Sequence, residues 1–129
     1  MQNKQIPNNP ELEEVVIGGM LMEQRGVTEF VEVVKDTNVF YNQKNAIIYD
    51  AILSLYKSSQ VADLMTVSDA LKKMGKLKDV GGSAYLIALT ERVSSSANMQ
   101  YHALILMQLY VKRKSIDVGC QLIEQSYED

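Results

Sequence analysis

The residues in this chain of 129 that could do chemistry are not spaced to assemble a reaction centre. Lys76 follows Gly75, and Gly81-Gly82 lies just beyond, which invites a phosphate-binding loop. Such a loop needs a long glycine-rich turn, then lysine, then a Ser or Thr hydroxyl to hold magnesium. Here Leu77 follows the lysine, and no glycine lies in the run before Gly75. A small nucleotide-binding enzyme using Lys76 is a minor alternative; it would require ATP binding that Lys76→Ala abolishes. His102 is the only histidine and Cys120 the only cysteine. Placed on one helix they stand about 27 Å apart at 1.5 Å per residue, too far for a thiol–imidazole pair. A lone cysteine makes no internal disulfide and no metal cluster, and it suits a reducing cytoplasm. Glu11, Glu13 and Glu14 crowd one helix start, where the helix dipole accounts for them without an acid–base role.

Charge argues the same way. The net charge is −3, and residues 1–36 carry seven acids against three bases, so bulk attraction to nucleic acid is not built in. The densest basic cluster is Lys72, Lys73, Lys76 and Lys78, with Lys112-Arg113-Lys114 second; both read as solvated helix ends and loops. Two short helical patterns, Thr66–Met74 and Ser83–Thr90, suggest a helix-turn-helix. A recognition helix presents Arg, Lys, Asn or Gln to base edges, and Ser83-Ala84-Tyr85-Leu86-Ile87-Ala88-Leu89 has none. No apolar run approaches bilayer length, and Met1-Gln2-Asn3-Lys4 lacks a signal-peptide core. A cytoplasmic protein is expected.

The elements that position these residues are helices, because every strong apolar pattern has helical period. Asn9 is a good N-cap, Pro10 fits the first helical position, and Leu12, Val15, Val16, Gly19 and Met20 follow. Gly18-Gly19 inside that helix costs about 1 kcal/mol per residue relative to alanine, so a neighbouring helix must approach closely there. Gly26 is expected to break the chain before a short amphipathic helix of Val27, Phe30, Val31 and Val34. Val39-Phe40-Tyr41 forms an apolar plug, and Asn42 caps a third helix with Ile48, Ala51, Ile52, Leu55 and Tyr56 inside. Thr66 and Asp69 resemble a capping pair for Val67, Ala70, Leu71 and Met74, and Gly75 ends that helix. Ser83 or a neighbour starts a helix bearing Leu86, Leu89 and Val93; Tyr85 and Tyr101 read as half-buried. From about Ala97 to Tyr127 there is no proline and one glycine, Gly119. Such a helix would run roughly 45 Å, longer than a globule of this size is wide, about 30 Å. Its distal stripe of Leu109, Ile116, Cys120, Ile123 and Tyr127 needs a cover, for which a partner helix is the best candidate. The expected architecture is therefore all-α: a globule of about five helices over residues 1–96, then a long projecting helix over 97–129.

In order and spacing, these residues also form a pattern. Ile6-Pro7 leads to Glu11-Leu12-Glu13-Glu14-Val15-Val16-Ile17-Gly18-Gly19-Met20-Leu21; then come Phe40-Tyr41 with Ile48-Tyr49-Asp50-Ala51, and Asp63-Leu64-Met65-Thr66-Val67. Leu71, Gly75, Leu77, Gly81-Gly82 and Tyr85-Leu86 follow, and last Ala97-Asn98-Met99 with Tyr101, Ala103, Ile105 and Arg113-Lys114. The pattern resembles the N-terminal domain of DnaB-type replicative helicases, ring-shaped motors that unwind DNA at the bacterial fork. Leu12, Asn45 and Tyr49 depart from the family's usual alanine, histidine and phenylalanine, and Leu104 and Met107 are greasier than usual.

The resemblance implies a scaffold rather than an enzyme. ATP and magnesium belong to a separate RecA-like motor domain, and no cofactor or metal is implied for this one. The long helix would be the first arm of a helical hairpin through which domains pair, giving a dimer or hexamer in the full-length parent. Primase, and in some lineages a helicase loader, would dock on the resulting collar, and DNA would be met only through the full ring. Glu11 and Tyr85 stand where family members meet primase. Since the chain stops at Asp129, within that hairpin, it is expected to be a fragment. The helicase-binding C-terminal domain of a primase, which resembles this fold, is the alternative; the Glu11–Gly19 opening and the Gly81–Leu86 motif favour the helicase.

Overall fold

The computed structural model describes residues 4–93 and 95–128. Its helices are α1 (Pro10–Met22), α2 (Gln24–Val33), α3 (Gln43–Lys57), α4 (Leu64–Lys73), α5 (Gly82–Glu91) and α6 (Met99–Ser126), with one 3₁₀ turn at Thr37–Val39. No strand occurs among the described residues. The all-α expectation holds, with five helices leading into a sixth that is far longer.

Packing is centred on α1, which touches each of the other five α-helices. Its start follows from Asn9, whose Oδ1 accepts the Leu12 N–H at 3.0 Å, and from Pro10 at a position that needs no N–H donor. Val16, Ile17 and Met20 have no exposed surface. The two central glycines are explained by close approach, as expected. A Cβ on Gly18 would collide with the Leu89 carbonyl oxygen of α5, and one on Gly19 would lie 2.8 Å from Met99 Cε at the start of α6. Beside α1, the rings of Phe30, Phe40 and Tyr49 pack together with centroids 5.1 to 5.7 Å apart. The buried Tyr49 hydroxyl donates to the Val34 carbonyl.

Four local expectations need correction. The break between α1 and α2 is at Glu23, which takes an extended conformation, while Gly26 lies inside α2. Its missing side chain makes room for Ser96 and Met99, since a Cβ there would lie 3.0 Å from Ser96 Cβ. Asp63, rather than Thr66, caps α4. Its Oδ1 accepts the Thr66 N–H at 2.9 Å while Thr66 Oγ1 accepts the Asp63 N–H at 2.8 Å, a reciprocal box that begins three residues earlier than read. Asp69 pairs with Lys73 instead, at 3.2 Å. The long helix begins at Met99, after Asn98 in the left-handed region at φ 63°. Tyr101 is exposed rather than half-buried.

Gly75 ends α4 as its position suggests. It sits at φ 72°, and the Lys76 N–H returns to the Leu71 carbonyl at 2.9 Å.

Candidate docking surfaces

Glu13 shows how the globule is joined. Reading it as one of three acids at a helix start misses its role, because the side chain is buried and reaches α3. Its carboxyl oxygens accept the N–H groups of Tyr41 at 2.7 Å and Asn42 at 3.2 Å, and the Asn45 amide at 3.1 Å. Asn42 caps α3 and Asn45 lies in its first turn, so an acid from α1 satisfies donors at another helix's start. Asn45 Oδ1 in turn accepts the Tyr85 hydroxyl at 2.8 Å. Among the described residues no buried side-chain polar atom lacks a partner. Sequence distance hid this chain of bonds, which links residues 28 to 40 positions apart.

The two residues marked for primase stand on adjoining helices. Glu11 is exposed in the first turn of α1. Tyr85 is half-buried in the first turn of α5, with the Lys44 ammonium 5.7 Å from its ring centroid. Its hydroxyl is satisfied from within, so a partner would meet the ring. Burial, then the nearby charges of Glu14 and Glu13, push that hydroxyl's pKa up. Gly81 and Gly82, at φ 102° and 72°, turn the chain into α5, and a side chain on Gly81 would press on Tyr85 Cβ at 3.0 Å. No hydrogen bond or ion pair joins Glu11 to Tyr85 among the described residues. Glu14, one turn from Glu11, binds Arg92 at the end of α5 at 2.9 Å.

The long helix divides into a packed part and a projecting part. Met99, Ala103 and Leu106 are in the core, and Leu109 and Tyr110 pack against it. Arg113 moors the last packed turn. Its guanidinium donates to the carbonyls of Pro7 at 2.9 Å and Val39 at 2.7 Å, and stands over the rings of Tyr41 and Tyr110. In the sequence Arg113 stands among basic neighbours; only the meeting of three distant segments reveals the mooring.

Beyond it the expected stripe projects. Ile116 is 44 %, Ile123 61 % and Tyr127 86 % exposed, and Cys120 is an exposed free thiol. Leu109 belongs to the packed part instead. A second stripe, not among the sequence expectations, comprises Leu104, Val111, Val118 and Leu122, also exposed. At 100° per residue it lies roughly 150° around the helix from the first. Its heptad-like spacing is legible in the chain, but spacing alone does not tell an uncovered face from a packed one.

No group of three or more His, Cys, Asp or Glu residues among those described could hold a metal ion. His102 is half-buried beside the Tyr101 ring, with centroids 5.9 Å apart. No described helix is long and apolar enough to cross a membrane.

The fold and its surfaces thus define a class: an all-α domain whose globule carries a long helix with uncovered apolar faces. The family model described as "DnaB-like helicase N terminal domain" matches residues 5–118. The chain is 38 % identical over 122 residues to the replicative DNA helicase DnaB of Leifsonia xyli subsp. xyli, covering 95 % of this chain and 26 % of that one. It is 34 % identical to the DnaB of Rhodothermus marinus, covering 95 % of this chain and 13 % of the relative. The crystal structure of the N-terminal domain of DnaB helicase from Mycobacterium tuberculosis superposes with a TM-score of 0.90 at 31 % identity, covering 97 % of this chain and 90 % of that one. The chain belongs to the family of DnaB-like helicase N-terminal domains. It spans about a quarter or less of the length of these two helicases.

Proposed function

We propose that this chain is the assembly and docking domain of a replicative DNA helicase. Its long helix pairs with helices of neighbouring copies to build the ring's collar, and its globule receives primase through Glu11 and the Tyr85 ring. ATP and magnesium are used by a motor domain elsewhere in the parent protein, which works in the cytoplasm, and DNA is engaged by the ring as a whole. A loader shares the collar in lineages that use one. The observation that carries this reading is the projecting half of α6, where large apolar side chains stand in water on a rigid helix. Burying one such side chain contributes about 2 kcal/mol, an incentive to associate that the chain's own globule leaves unused. Membership of a helicase family supports the same reading.

Calorimetric titration with the C-terminal domain of a primase tests the docking part. Wild-type chain should bind, and Glu11→Ala combined with Tyr85→Ala should weaken binding by about tenfold or more, about 1.4 kcal/mol. Tyr85→Phe keeps the ring and should retain most of the affinity. Undiminished binding by the double variant would remove the site assignment, and no binding by the wild type would remove primase docking itself.

A further inference from the structure

A shallow trough runs between α4 and α5 and along the turn that joins them, and its lining includes none of Glu11, Tyr85 or α6. Leu64, Met65, Leu77 and Ile87 make its walls. Met65 is 82 % exposed and Ile87 43 % exposed, so two large apolar side chains stand in water at its rim. At the other end the trough continues past Leu77 to Lys72 and Lys78. Lys76 is exposed on the same turn. Lys73 is held by Asp69, but no carboxylate among the described residues pairs with Lys72, Lys76 or Lys78. In a chain of net charge −3, this positive charge is local and runs against the bulk.

We infer that the trough is a docking site for an amphipathic helix of a partner protein with acidic flanks, separate from the surfaces assigned above. An apolar ridge at i, i+3, i+4 and i+7 fits a groove walled by aliphatic side chains, and an exposed methionine can adjust to its shape. Asp and Glu beside that ridge would meet three lysines without an ion-pair partner, which outweigh Asp79, the one unpaired acid of the lining; this favours acidic over basic helices and speeds encounter. Nucleic acid fits less well. Single strands are held on aromatic platforms, and no aromatic ring lines the trough.

The test uses the 129-residue chain and a fluorescein-labelled synthetic helix of about four turns, leucines on one face and glutamates on its flanks. A scrambled peptide of the same composition and a thymidine oligonucleotide serve as the other probes. Anisotropy should show binding of the patterned peptide, about tenfold weaker for the scrambled one. Amide shift changes should fall on Leu64–Lys72, Leu77 and Ser83–Ile87. Lys72→Glu with Lys78→Glu, both exposed, should weaken binding by about tenfold or more, and Met65→Ser by about threefold. Four outcomes would overturn the inference: no binding at about 1 mM peptide; shifts confined to other faces; tighter binding of the oligonucleotide on these residues; or, without peptide, concentration-dependent shifts here that mark contact with a second copy.

Discussion

Glu13 carries more of this fold than its exposed neighbour Glu11 does. A buried carboxyl group with three donors converging on it from α3 and its approach cannot be removed without leaving those donors unpaired. Glu13→Ala is expected to destabilise the domain by about 3 kcal/mol, and Glu13→Gln by less, because an amide oxygen still accepts. Glu11→Ala should stay within about 0.5 kcal/mol, since an exposed first-turn acid interacts only with the helix dipole. Urea denaturation of the three variants checks this order; equal midpoints for the two alanine variants would show that Glu13 does no more than its neighbour. At this scale the sequence was legible for caps and breaks that act within a few residues. Asn9, Asn42 and Gly75 were read correctly for that reason. The burial of Glu13 and Asn45 was not legible, because polar residues in helical patterns are usually solvated and the partners of these two lie on other segments.

At the scale of elements, Arg113 anchors α6 where the helix leaves the globule. The guanidinium fork ties the strand of chain at Pro7, the turn at Val39 and the helix itself into one joint. Lysine keeps the charge but not the planar fork. Arg113→Lys is therefore expected to speed amide exchange at Val39 and Phe40, whose N–H groups close the 3₁₀ turn, by about tenfold relative to Ile48–Leu53 in α3. Mass-spectrometric or NMR exchange measurements decide it, and uniform acceleration of both segments would point to global destabilisation instead. Helix existence and type were readable throughout, because the apolar period is helical and persistent. The α1–α2 boundary was not. A glycine inside a pattern reads as a break, whereas Gly26 is there to let Ser96 and Met99 approach.

For the molecule as a whole, the two apolar stripes on α6 make a prediction about assembly. Sedimentation at about 0.1 mM should show self-association that Ile116→Glu with Ile123→Glu abolishes. Val118→Glu with Leu122→Glu asks the same of the opposite face, so the two pairs separate one interface from two. A monomer at that concentration for the wild type would mean that the stripes require a different cover. The sequence by itself determined the helical class, the order of the helices, the length of α6 and the absence of a phosphate loop, because periodicity and short motifs are properties of neighbouring residues. Only the tertiary structure decided which polar residues are buried, where α6 leaves the globule and that it bears two uncovered faces. Those depend on which segments meet in space, and Glu13, Arg113 and Met65 take their meaning from partners, or from the lack of them, many residues away.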